Sequence, residues 1–105
     1  MPIRWLYHAL SARTDDGQDP YAPSSLRSEG FVHCSFSPTL RDSIALYFAG
    51  CDDVEVWQLD PGALEVEAAD TPRGPMPHVL HAIPRCALRA RWPLATLPAE
   101  LDDVI

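Results

Sequence analysis

The chain has 105 residues, 47% of them apolar, with 8 basic against 15 acidic side chains, a formal net charge of −7 and a pI near 4.8. That length fits a single domain, 1–105, able to close its own core, and the apolar share is too high for a disordered segment. The acidic balance argues against a nucleic-acid partner, which needs clustered cations, but leaves room for an anionic ligand held by a few arginines.

Residues 3–10 read as a strand, with Ile3, Trp5, Tyr7 and Ala9 on one face and Arg4, Leu6, His8 and Leu10 on the other. Residues 11–20 have no periodicity and read as a loop. Residues 24–29 suit a short helix, with Ser24 or Ser25 as N-cap and Gly30 ending it. Next comes Gly30-Phe31-Val32-His33-Cys34-Ser35, a strand opened by a turn glycine. Strand alternation puts Phe31, His33 and Ser35 on one face and Val32 and Cys34 on the other. Polar groups beside an aromatic are costly to bury unless they are hydrogen-bonded or face a ligand.

Ser37-Pro38 reads as an N-cap followed by proline at the first helical position, and Leu40, Ile44, Tyr47 and Phe48 form one apolar helix face. Residues 54–59 are a strand, Asp60-Pro61-Gly62 a turn, and residues 64–68 a short strand with Glu65 and Glu67 on one face. Residues 70–77 carry three prolines and a glycine and read as a loop. Strands are expected at 78–83, bounded by Pro84, and at 86–92. The core should span about 3–92, with 93–105 a tail that packs on the surface or frays. The sum is an α+β fold with a curved, mostly antiparallel sheet and one or two helices.

No run approaches the ~20 apolar residues of a membrane-spanning helix. The N-terminus lacks the apolar core of a signal peptide. Cys34, Cys51 and Cys86 show no paired spacing and fit reduced thiols, so a cytoplasmic location is expected.

The chemistry lies with His8, His33, His78 and His81, each in or beside a predicted strand. A lone strand histidine is normally a hydrogen-bonded structural residue. Three on separate strands suggest a shared cleft formed by His8, His33 and His78. Three histidines with Glu67 would suit zinc, but the His78/His81 spacing puts that pair on opposite faces of a strand, so no metal is expected. Cys34 adjoins His33 yet points away from it, which disfavours a thiolate nucleophile. Ser35 has no evident base and suits hydrogen bonding. Glu67 is the carboxylate best suited to oppose a developing positive charge, as an oxocarbenium-like transition state requires; the alternative is a solvated strand face.

Tyr7-His8, Tyr21 with Pro23-Ser24, the Gly30–Ser35 block, Glu67 and Pro77-His78 together resemble the bacterial family called domain of unknown function 952. The resemblance spans roughly residues 3–92, and the Gly-Phe-x-His-Cys-Ser block is its most specific part. Val66, Met76 and Leu80 stand where the family usually has Trp, Phe and Tyr. The family is similar in fold to ADP-ribosyltransferases. That likeness implies a split sheet around a cleft for NAD, with His8 holding a ribose hydroxyl and His33 and Ser35 as further cofactor-binding residues. Glu67 and His78 would be the catalytic pair. The implied function is NAD-dependent ADP-ribose transfer. The alternatives are a non-catalytic nucleotide or small-ligand binding module, or a small-molecule enzyme with a histidine acid or base.

Overall fold

Residues 54–59 carry apolar side chains on both faces, the mark of a strand with a core on each side. The computed structural model, which describes residues 3–105, forms this segment as β3 (Val54–Leu59). Val54 and Val56 enter one core with Tyr7, Leu40 and Ile44. Trp57 and Leu59 enter the other with Leu6, Leu10, Val32 and Val79. β3 lies between β1 (Leu6–Ser11) and β6 (Leu88–Pro93), antiparallel to both. A second antiparallel sheet has the order β2 (Val32–His33), β5 (Gly74–Val79), β4 (Val66–Thr71). Two helices, α1 (Ser24–Ser28) and α2 (Ser37–Tyr47), complete an α+β fold.

The sheet is thus divided into two of three strands each, joined where the chain leaves β2. Ser35 pairs with Tyr7 of β1: the Tyr7 N–H donates to the Ser35 carbonyl at 2.8 Å, and the Ser35 N–H to the Tyr7 carbonyl at 2.7 Å. Beyond that pair the sheets diverge. α2 covers the Val54/Val56 face through Leu40 and Ile44, which are buried as their spacing predicts. Tyr47, expected on the same face, is exposed.

Several boundaries differ from the sequence reading. The first strand begins at Leu6, because Arg4 and Trp5 bond instead to the C-terminal segment: Arg4 bridges Val104, and the Trp5 N–H donates to the Asp103 carbonyl. Residues 70–77, expected as a loop, are most of a hairpin, with Asp70 opposite Pro75 and Ala68 opposite Pro77. Prolines are tolerated in β5 because β2 pairs only with His78 and Val79, so no second strand calls for the N–H of Pro75. Gly74, at φ 98°, closes the hairpin. β5 ends at Val79 rather than at Ile83. The Leu80 N–H bonds the Glu65 carbonyl, and Ile83 pairs with Tyr21. A 3-10 turn over Arg85–Ala87 delays the last strand to Leu88. Neither helix uses a serine cap: Pro23 and Phe36 hold the N-cap positions, and Ser24 and Ser37 are already helical. The 12–20 segment is tied down by Arg85, which donates to Asp15 at 2.5 Å and to the Gln18 carbonyl at 2.6 Å.

Candidate functional site

The divergence of the two sheets leaves a cavity of about 650 Å³, within the usual range for small-ligand sites. One side is β1 from Tyr7 to Ser11. Ser43 and Tyr47 of α2, with Phe48 just after it, form another, and Arg73, Met76 and His78 of the hairpin a third. His8, His33, Ser35 and His78 all line it. Glu67 does not. It is exposed on β4, directly opposite His78.

His8 projects from β1 into the buried side of the cavity, against the rings of Tyr21 and Trp57, which also meet each other. Its Nδ1 lies 2.7 Å from the His33 carbonyl oxygen, so Nδ1 carries the proton and donates. Burial lowers its pKa to about 4, outweighing the carbonyl bond, and the ring is neutral near pH 7. Nε2 is therefore an acceptor, and the Tyr21 hydroxyl donates to it at 2.8 Å. Both ring nitrogens are engaged inside the protein. Among the described residues no donor reaches the Tyr21 oxygen, which can therefore accept.

His33, His78 and Glu67 form one row across β2, β5 and β4, since each is the cross-strand partner of the next. Phe31 stacks on His78 with centroids 3.8 Å apart and meets His33 edge-on at 4.7 Å. The His78 pKa is lowered, first by burial and then by the neighbouring His33, with Glu67 and Glu29 opposing. His33 is exposed, and its Nε2 lies 2.7 Å from Glu29 Oε2. Glu29, at the end of α1, lines the cavity and is the carboxylate that the sequence reading passed over. The His33 pairing lies at i, i+4, but the chain is not helical between the two. Its signal in the sequence was therefore absent.

His81 belongs elsewhere. Its Nε2 accepts the Glu65 N–H at 2.8 Å, so its Nδ1 donates to the Ala82 carbonyl, a structural arrangement. Cys34 is buried, and burial pushes its thiol pKa up to about 12, far from a thiolate nucleophile. Among the described residues no group of three or more His, Cys, Asp or Glu side chains is placed to hold a metal ion.

At the other end of the cavity the buried Ser35 and Ser43 hydroxyls lie 3.3 Å apart, and Arg73 donates to Ser43 Oγ at 3.0 Å. Sequence reasoning missed Ser43 and Arg73. One is the polar member of a helix face otherwise read for its apolar residues. The other sits in what read as a loop.

The family model described as Protein of unknown function (DUF952) matches residues 8–90, and the chain belongs to that family. The fold is similar to the X-ray structure of protein CC0527 from Caulobacter crescentus, with TM-score 0.74 at 18% identity, covering 94% of this chain and 92% of that one. A double mutant of the same Caulobacter protein gives TM-score 0.72 at the same identity and coverage. At this identity the likeness shows the fold alone, and neither match is an ADP-ribosyltransferase. No curated protein matches the chain.

Proposed function

We propose that the cleft binds NAD, in the manner of the ADP-ribosyltransferases, whose fold the resemblance to the family implies. The observation that carries this reading is the free edge of β1. Tyr7 turns its N–H and C=O away from β3, toward Ser35. The two-residue period of a strand turns those of Ala9 the same way, into the cavity, where no strand of the described residues lies opposite. A primary carboxamide has one donor and one acceptor and can exchange both bonds with such a residue, as a partner strand would. Nicotinamide carries that group. Next to it, the Tyr21 oxygen can accept from a ribose hydroxyl, with His8 holding the phenol in place.

Transfer would break the bond from ribose C1 to the nicotinamide nitrogen. The electron pair leaves with nicotinamide, and an acceptor nucleophile forms the new bond to C1. Positive charge builds on the ribose, and a carboxylate facing it lowers the barrier. Glu67, beside His78, is the family-matched candidate. A second reading, binding without turnover, is favoured by the exposure of Glu67 outside the cavity wall and by Leu80 in place of the family's tyrosine.

Calorimetric titration with NAD tests both readings. Binding is expected, weakened about tenfold in Tyr21→Phe, the scale of one lost hydrogen bond. No heat at millimolar NAD from folded protein overturns them. Mass spectrometry then separates the two, since release of nicotinamide requires turnover.

A further inference from the structure

We infer that Arg73, Ser43 and Ser35 form an anion-binding pole of the same cavity, built to take the phosphate or pyrophosphate of its ligand. This inference rests on the cleft being a ligand site but does not require that the ligand be NAD.

The argument is one of donors without acceptors. Arg4, Arg13, Arg85 and Arg91 each pair with a carboxylate. Arg27, Arg41, Arg73 and Arg89 have no carboxylate partner among the described residues. Of these four, Arg73 alone is half-buried, and it alone lines the cavity. A guanidinium has five N–H donors, and among the described residues the one side-chain acceptor that the Arg73 guanidinium meets is Ser43 Oγ. The two serine hydroxyls share a single bond. Whichever of them donates it, the other's proton has no acceptor among the described residues. Buried donors normally find an acceptor. An oxyanion with several lone pairs would satisfy both hydroxyl and guanidinium at once, through charge-assisted bonds.

The position is fixed rather than floppy. The Arg73 N–H donates to the Thr71 hydroxyl, which in turn donates to the Gly74 carbonyl at 2.7 Å, bracing the turn. The guanidinium carbon stands 5.7 Å from the Tyr47 ring centroid. In a chain of net charge −7, an unneutralised arginine held over two buried hydroxyls is a selective anion site. An arginine serving only to brace α2 would affect stability and nothing more.

Inorganic pyrophosphate is the probe, titrated by calorimetry into the full chain. Saturable binding is expected, weakened at least about tenfold in Arg73→Gln and partly restored in Arg73→Lys, which keeps the charge but not the fork. Arg89→Gln, an exposed substitution on β6, should match wild type. If Arg73→Gln lowers the melting temperature so far that it cannot be titrated, Ser43→Ala decides. Loss of affinity there supports the pole, and unchanged affinity overturns it. Absence of pyrophosphate binding on the order of 10 mM in wild type also overturns it. Pyrophosphate binding without NAD binding removes the NAD reading alone. NAD binding equally tight in wild type and Arg73→Gln removes the anion pole alone.

Discussion

His8 shows how one side chain links stability to the site. Its pKa of about 4 in the fold lies below the ordinary 6.5 because the ring is buried. Between those values the unfolded chain binds a proton that the folded protein refuses, so stability rises with pH across that window. The contribution is complete above pH 6.5 and is lost as pH falls through 4. It amounts to roughly 3 kcal/mol over the full range. Carboxylates such as Asp15, held below its ordinary pKa by Arg85, lose stability in acid as well, so the comparison must be differential. Urea unfolding of wild type and His8→Phe at pH 7, 5.5 and 4 should show the wild type losing more, with the gap between them narrowing toward acid. Parallel losses in the two proteins would mean that His8 is not buried neutral. The same neutrality makes Tyr21, not His8, the residue with hydrogen-bonding capacity left to face the cavity, because an imidazole bonded at both nitrogens has nothing left to offer.

At the scale of elements, legibility followed burial. β3 was readable because Val54, Val56, Trp57 and Leu59 alternate into two cores, and α2 because Leu40 and Ile44 repeat at helical spacing behind Pro38. The β4–β5 hairpin was not. Pro72, Pro75 and Pro77 signal a break in any local reading, and only the short reach of β2 makes them tolerable. The site divided in the same way. His8, His33 and His78 stand out because imidazoles are rare in apolar strands, and the structure lines one cavity with all three. Arg73 and Glu29 reach it from a turn and a helix end, positions fixed by tertiary contacts. The hairpin turn also carries a prediction. At φ 98° Gly74 has open space where a Cβ would stand, so the cost of Gly74→Ala is backbone strain alone, about 1–2 kcal/mol. Its thermal midpoint should fall accordingly, and pyrophosphate affinity should fall with it as Arg73 shifts. A variant with wild-type stability would show that the turn is not held in this conformation.

Across the whole molecule, the joint between the sheets is braced from the far end of the chain. Tyr7 pairs with Ser35 through its backbone, while its hydroxyl donates to the Asp102 carbonyl at 2.6 Å and accepts from Gln58 at 3.1 Å. The Arg4–Asp103 ion pair at 2.6 Å, the Trp5–Asp103 backbone bond and the Ile105 N–H on the Ile3 carbonyl hold the same segment. Leu97 and Leu101 pack against the core beneath α2, and Arg41 of α2 donates to the Pro98 carbonyl. The C-terminal residues thus hold the chain just before β1, the strand whose free edge faces the cavity. Removing residues 98–105 leaves the Tyr7 hydroxyl without its acceptor and uncovers Leu40 and its neighbours. The loss should be about 2–4 kcal/mol, from one buried hydrogen bond and the apolar area under Leu101. Hydrogen exchange locates the damage. The amides of Tyr7 and Ser35 should lose protection in the truncated chain, while those of β4 and β5, tied by their own hairpin ladder, keep theirs. Uniform loss across both sheets would mean that the tail supports global folding and has no particular hold on the joint beside the cavity.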